Sequence, residues 1–336
     1  MQAEFEVVKQ ARSWFAKQNQ ERTDEQTRPP SDKTVELYRR EMTRLLAHGD
    51  PWTAAADTTK KSTFFVRRAA ILHFCREVVG SGLKAQDQLQ RGGFADPAQK
   101  EAWLTQIKSL KNALILAEKV PDKPPMHLVA KRQTKRKGLF TLPPDWRQTL
   151  ISRMPNYEQA ATISALCGCR PAELVKGVEV FVQAGQLVVR IHGSKVGPAS
   201  GQEWREMHWN LPSSNPLAIA AGRFALKNGG HVIVKTPDAK AFSGAMREAG
   251  KRAFPGFNRT ITPYSMRHQV ASDLKAAELP GEQISQALGH SASDTKGSYG
   301  EWGAGNGAMA PSSVAAARAV KVKPATKPTA GPVLRL

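Results

Sequence analysis

Cysteine is scarce in this chain. Cys75, Cys167 and Cys169 are the three it has, so any intramolecular pairing leaves one thiol over. The C-x-C at 167–169 lacks the spacing and partner ligands of a zinc site. A disulfide scaffold and a structural zinc are both set aside, and the thiols are expected to be buried in a reducing compartment. No run of about 18 apolar residues occurs, and the opening stretch M-Q-A-E-F-E-V-V-K-Q has no basic segment leading into an apolar one. These absences argue against a membrane span and a secretory leader, and a cytoplasmic, soluble protein is the expectation. Acid is short as well. Asp and Glu number 29 against 49 Lys and Arg, for a formal charge of +20 at pH 7. An excess of this size implies an anionic partner, and nucleic acid is expected ahead of a merely solvated basic surface. No internal repeat is visible.

At 336 residues the chain is long for one domain, and two are expected. Residues 1–30 form an N-terminal segment with a short amphipathic pattern (Phe5, Val7, Val8, Ala11, Trp14, Phe15) ending in Arg28-Pro29-Pro30. A helix that packs on a neighbour or touches DNA, and a loosely docked terminal helix, both fit it. Residues 31–120 read as helical throughout. One helix carries Val35, Leu37, Tyr38, Met42, Leu45 and Leu46 and ends at Gly49-Asp50-Pro51. A second runs over 62–79 to a stop at Gly80-Ser81-Gly82, and a third over 97–116 sets Trp103, Leu104, Ile107, Leu110 and Leu114 on one side. By pattern alone this is a helical bundle.

Residues 121–143 read as a linker, with six basic side chains and no acid between Lys123 and Lys137. Between two domains closing on a duplex, Lys131, Arg132, Lys135, Arg136 and Lys137 are expected to track phosphates, because each neutralised phosphate releases counterions. The second domain, 144–303, opens with helices to about residue 154 and over 157–166. Pro171 suits the first position of the next helix and Glu173 its first turn. Residues 178–182 and 187–191 then read as strands around Ala184-Gly185, and 203–210 as a third, before helical patterns return from Pro216 to Tyr299. The fold class is therefore mainly α with a small antiparallel β-sheet. From residue 304 the composition turns to Gly, Ala and Pro with five basic residues and no acid. A largely disordered basic tail is expected, with a short helix near 312–320 able to dock on a neighbouring protomer.

The chemistry-bearing stretch is 262–299. It reads T-P-Y-S-M-R-H-Q-V-A-S-D-L and then, after a helix-like spacer, Q-A-L-G-H-S-A-S-D-T-K-G-S-Y. It sets Arg267, His290 and Tyr299 in order, the last two nine residues apart. An arginine and a histidine can hold a phosphate, and a tyrosine hydroxyl beside them can attack it. R-H-x-x-A-S-x-L followed by L-G-H and then tyrosine resembles the C-terminal signature of tyrosine recombinases, the phage-integrase type of DNA breaking and rejoining enzyme. C-G-C-R-P-A-E-L at 167–174 resembles that family's first-arginine motif, and G-S-K at 193–195 sits where its hairpin lysine belongs. The likeness covers residues 140–303 by motif and 31–120 only by architecture.

What the resemblance implies is specific. The fold would be a two-domain DNA clamp, a helical core-binding domain followed by the catalytic domain. Tyr299 would attack the scissile phosphate and form a 3′-phosphotyrosyl bond, without metal or ATP. Arg170 and Arg267 would grip its oxygens, His290 would donate a hydrogen bond to it, and Lys195 would protonate the 5′ leaving oxygen. Glu173 would orient the site. Duplex DNA would be the partner, a homotetramer the synaptic assembly and a monomer the free state, with an accessory DNA-bending or directionality factor left open. Integration or excision of a mobile element is the natural setting. The chain departs from the family at Tyr264, where histidine is usual three residues before Arg267. A phenol, ionising at about pH 10 in water, is a poor proton acceptor near neutrality. Tyr264 is therefore counted among the site residues, though not as the nucleophile, and His268 is expected to face the interior. A catalytically weak site-specific binder on the same fold, and an enzyme like the type IB topoisomerases, remain the alternatives.

Overall fold

The computed structural model describes residues 2–24, 29–92, 97–119, 139–197, 200–213, 215–292, 300 and 302–321. They fall into two units, Met1–Arg132 and Gln133–Leu336. The first unit holds α1 (Gln2–Asp24), α2 (Asp32–Leu46), α3 (Pro51–Ala56), α4 (Lys61–Gly92) and α5 (Pro97–Lys119). The expected stop at Gly49-Asp50-Pro51 also starts a helix that the apolar pattern did not reveal. The Asp50 carboxylate accepts from the Thr53 amide at 2.9 Å and Pro51 takes the first helical position, which together make α3.

Helix α4 continues for 32 residues through Gly80-Ser81-Gly82, where the sequence predicted a stop. The reason is helix packing. A β-carbon on Gly82 would come within 2.7 Å of Leu110 on α5, so the missing side chain lets the two helices close up. That contact outweighs the loss of about 1 kcal/mol that glycine imposes on a helix. Nor does the N-terminal segment stand apart. Val8 and Ala11 of α1 are buried with Val79, Trp103, Ile107 and Leu110, and Arg12 pairs with Asp87 on α4.

The second unit carries α6 (Trp146–Ser152), α7 (Glu158–Cys167) and α8 (Pro171–Lys176), then β1 (Val178–Gln183), β2 (Gln186–His192) and β3 (Trp204–Asn210). After these come α9 (Pro216–Lys227), β4 (His231–Val234), α10 (Ala239–Ala253), α11 (Pro263–Ala276), α12 (Gly281–Ala287) and β5 (Ser313–Ala316). The strands form one antiparallel sheet in the order β4-β1-β2-β3-β5. The β1–β2 hairpin turns on Ala184 and Gly185, both at positive φ (48° and 74°), the backbone that suits a two-residue turn between twisted strands. Helix α7 lies at the centre, with its residues from Ala160 to Cys167 all buried. Arg147 of α6 and Asp273 of α11 form an enclosed ion pair at 2.8 Å.

Two strands correct the sequence reading. β4, only four residues long after Gly229-Gly230, interrupts what read as continuous helix. β5 lies where a short helix was expected, pairing Ser313 with His208 and Ala316 with Arg205. The glycine-rich stretch before it is packed, not disordered. A β-carbon on Gly305 would sit 2.1 Å from the Ser272 carbonyl oxygen, so only glycine allows this segment to lie on α11. Met309 and Val320 are buried, and the expected tail is structured through Lys321.

Candidate active site

Two chain reversals and one helix bring the site together. The first follows α7, where Gly168 takes the left-handed conformation and the chain turns into Arg170, the N-cap of α8. Glu173, at the third helical position, closes this corner. Its carboxylate accepts from the Arg170 amide at 2.7 Å and from the Arg170 guanidinium at 2.7 Å. Glu173 is itself fully enclosed and also takes Arg205 NH2 at 2.8 Å and NH1 at 3.3 Å. Burial pushes its carboxyl up, but the Arg205 and Arg170 charges overcome this and hold it far below the usual range.

The second reversal ends α12. The His290 amide donates to the Ser285 carbonyl at 2.8 Å and the Gly289 amide to that of Gln286 at 2.8 Å, the paired bonds of a Schellman turn. Gly289 supplies the positive φ (65°) that this turn needs. The L-G-H motif is thus a helix stop that aims a histidine. The third element is α11, which carries Arg267 at 1% exposure. Arg267 NH1 donates to the Gly168 carbonyl at 2.9 Å, and NH2 donates to the Leu288 carbonyl and to His290 Nε2, the latter at 3.1 Å.

An arginine N–H can only donate, so His290 Nε2 is an acceptor here and the neutral ring carries its proton on Nδ1. Burial, then the charges of Arg267, Arg170 and Arg205, lower its pKa to about 3. The histidine is a neutral group among cations. Buried Cys169, beside Gly168, is pushed up to about 12 by burial and the Glu173 charge, so it is an inert thiol.

The structure brings together Arg170, Glu173, Arg267 and His290. Lys195 lies exposed in the turn after β2, and Tyr264 is 40% exposed at the second residue of α11. Neither is hydrogen-bonded to the buried group among the described residues. His268 is half-buried. Tyr299 and the linker residues Lys131, Arg132, Lys135, Arg136 and Lys137 lie outside the described residues.

Sequence reading missed three residues. Arg205 shares the inward face of β3 with Met207 and Trp209, and a charged residue alternating with buried apolar ones was the available signal. Gln202, also buried, donates to the His290 carbonyl at 2.9 Å and accepts from the Arg318 amide at 2.9 Å. Arg318 in turn donates to the Gly197 carbonyl at 2.9 Å and pairs with Glu203, holding the turn that carries Lys195. The partners of Gln202 and Arg318 lie far away in sequence, and no local pattern announces these two. Among the described residues no group of three or more His, Cys, Asp or Glu side chains is arranged to hold a metal, and no helix is long and apolar enough to cross a membrane.

No protein-family model and no curated protein matches the chain. Among solved structures, XerA recombinase aligns at 16% identity and a TM-score of 0.34, over 69% of this chain and 91% of its own. The Tn1549 transposon integrase in complex with a circular-intermediate DNA aligns at 14% identity and a TM-score of 0.36, over 80% of this chain and 95% of its own. Alignments of this quality carry no weight in assigning the site, which rests on the residues and distances above.

Proposed function

We propose that the chain is a DNA strand transferase of the tyrosine-recombinase type, cutting and rejoining duplex DNA through a 3′-phosphotyrosyl intermediate on Tyr299. The observation that carries this reading is the convergence of Arg170, Arg267 and neutral His290, drawn from three separate elements and fixed by Glu173 and the turn after α12. Two guanidiniums beside a neutral imidazole suit a phosphate whose negative charge grows in the transition state. Arg170, 12% exposed at its side chain, is the cation positioned to meet a ligand first.

In the reaction the Tyr299 hydroxyl gives up its proton to solvent as its oxygen attacks phosphorus, while the 5′ oxygen leaves, taking a proton from Lys195. A 5′-hydroxyl later attacks the adduct and releases the tyrosine. Each step exchanges one phosphoester for another, so no ATP is consumed. Gly300, next in sequence to Tyr299, lies against α11, where its carbonyl accepts from Lys275 Nζ at 3.1 Å. That is the helix that carries Arg267. The linker cations would follow the duplex backbone, and a homotetramer would hold two duplexes for exchange, with integration or excision of a mobile element as the outcome.

A second reading, a site-specific binder with little or no cleavage, has an observation in its favour. Arg267 already donates to two backbone carbonyls, and Tyr264 stands where the family has histidine. A nicked duplex that traps cleavage separates the two, since only a transferase becomes covalently joined to it.

A further inference from the structure

Behind the proposed phosphate centre lies a cation that the chemistry above does not use. Arg205 is wholly enclosed on the inner face of β3, and a buried guanidinium persists only where its donors are met. Here they are divided between two elements. NH1 and NH2 reach Glu173 on α8, while Nε donates to the Ala287 carbonyl, the last residue of α12, at 2.8 Å. Glu173 is the group that orients Arg170, and Ala287 leads into the turn that presents His290. The fit is close on a third side. A β-carbon on Gly289 would lie 2.8 Å from Arg205 NH1, so the glycine that the turn needs for its backbone is also the space the guanidinium occupies.

We propose that Arg205 is a positioning residue that sets the distance between Arg170 and His290 from behind the site, without touching the DNA. The inference rests on the reading of Arg170, Arg267 and His290 as a phosphate centre. Its geometry explains why a side chain so awkward to bury sits on β3. A carboxylate alone fixes Arg170, and a helix end alone fixes His290, but only a forked donor reaching both fixes one against the other. Lysine, with a single nitrogen, cannot hold Glu173 and Ala287 together in this way.

The test uses the full chain with Arg205→Met, Arg205→Lys and Gly289→Ala, the last displacing the guanidinium while keeping every charge. Thermal melts establish folding, fluorescence anisotropy gives the duplex Kd, and a nicked duplex gives the rate of adduct formation. For folded Arg205→Met the expected result is a rate lower by about a hundredfold and a Kd within about threefold of the parent. Arg205→Lys should fall between, and Gly289→Ala should follow Arg205→Met in direction. Parental rates in folded Arg205→Met and Gly289→Ala would overturn the proposal. Should Arg205→Met not fold, Arg205→Lys decides it by the same rates. Should the parent form no adduct, the transferase reading fails by itself. Inorganic phosphate, titrated while the His290 imidazole ¹⁵N resonances are followed, then decides the Arg205 proposal. A response in the parent that is lost in the folded variants supports positioning, and a response equal in both, or none in the parent, overturns it.

Discussion

Arg267 and His290 share a hydrogen bond of 3.1 Å in which the guanidinium donates to imidazole Nε2, and this bond fixes both the charge and the tautomer of the histidine. A protonated ring has no acceptor nitrogen to offer, so charging His290 would break the bond and set a cation against Arg267, Arg170 and Arg205. His290 is thus a neutral hydrogen-bonding group near physiological pH, and any proton it donates comes from Nδ1.

A pH dependence follows from this. The folded pKa of His290, about 3, lies below the ordinary value of 6.5. Below pH 6.5 the unfolded chain takes up a proton that the folded chain refuses, so stability declines as the pH falls from there toward 3. The total is on the order of several kcal/mol. Glu173, whose folded pKa is depressed, adds its own loss only as the pH drops below its ordinary 4.5. Urea midpoints measured from pH 7 to 4 should decline in the parent and flatten between pH 6.5 and 5 in His290→Asn. An unchanged slope in the variant would contradict the assignment.

Glu173→Ala should unfold more easily by about 3–5 kcal/mol, because it leaves Arg205 charged and unpaired in the interior. Equilibrium denaturation measures this. A loss below about 1 kcal/mol would place Glu173 among exposed ion pairs, where its full burial does not put it.

Much of this site was legible beforehand. R-P-A-E at 170–173 and L-G-H at 288–290 are local motifs, and their resemblance to the recombinase signature is what singled out Arg170, Glu173 and His290. Arg205 and Gln202 escaped because their partners are 32 and 88 residues away, and burial decided their roles. Glycine misled twice. At Gly82 and Gly305 it read as a break or as disorder, since composition does not distinguish a free backbone from one pressed against a neighbour. The strands β4 and β5, each four residues long, were too short for an alternating pattern to stand out.

The segment after α12 supplies a further prediction. Deleting residues 312–336 removes β5, the cover on β3 and the Arg318 hold on the turn carrying Lys195. A few strand hydrogen bonds at about 1 kcal/mol each should be lost, lowering the melting temperature of a unit this size by roughly 6–12 °C. Differential scanning calorimetry is the check. A disordered tail would leave the melt unchanged.

The linker cations are tested by salt. Replacing Lys131, Arg132, Lys135, Arg136 and Lys137 with glutamine should weaken duplex binding and reduce the slope of log K against log salt by up to about 4.5. An unaltered slope would show that these side chains meet no phosphate.

Covalent trapping tests the chemistry proposed for Tyr299. The full chain is incubated with nicked duplexes made from the DNA flanking its own gene, and the adduct is digested and sequenced by mass spectrometry. A nucleotide should be found joined to Tyr299, and a Tyr299→Phe variant should bind the same DNA without becoming attached. Tight, site-specific binding with no adduct, or attachment at Tyr264 instead, would contradict that chemistry.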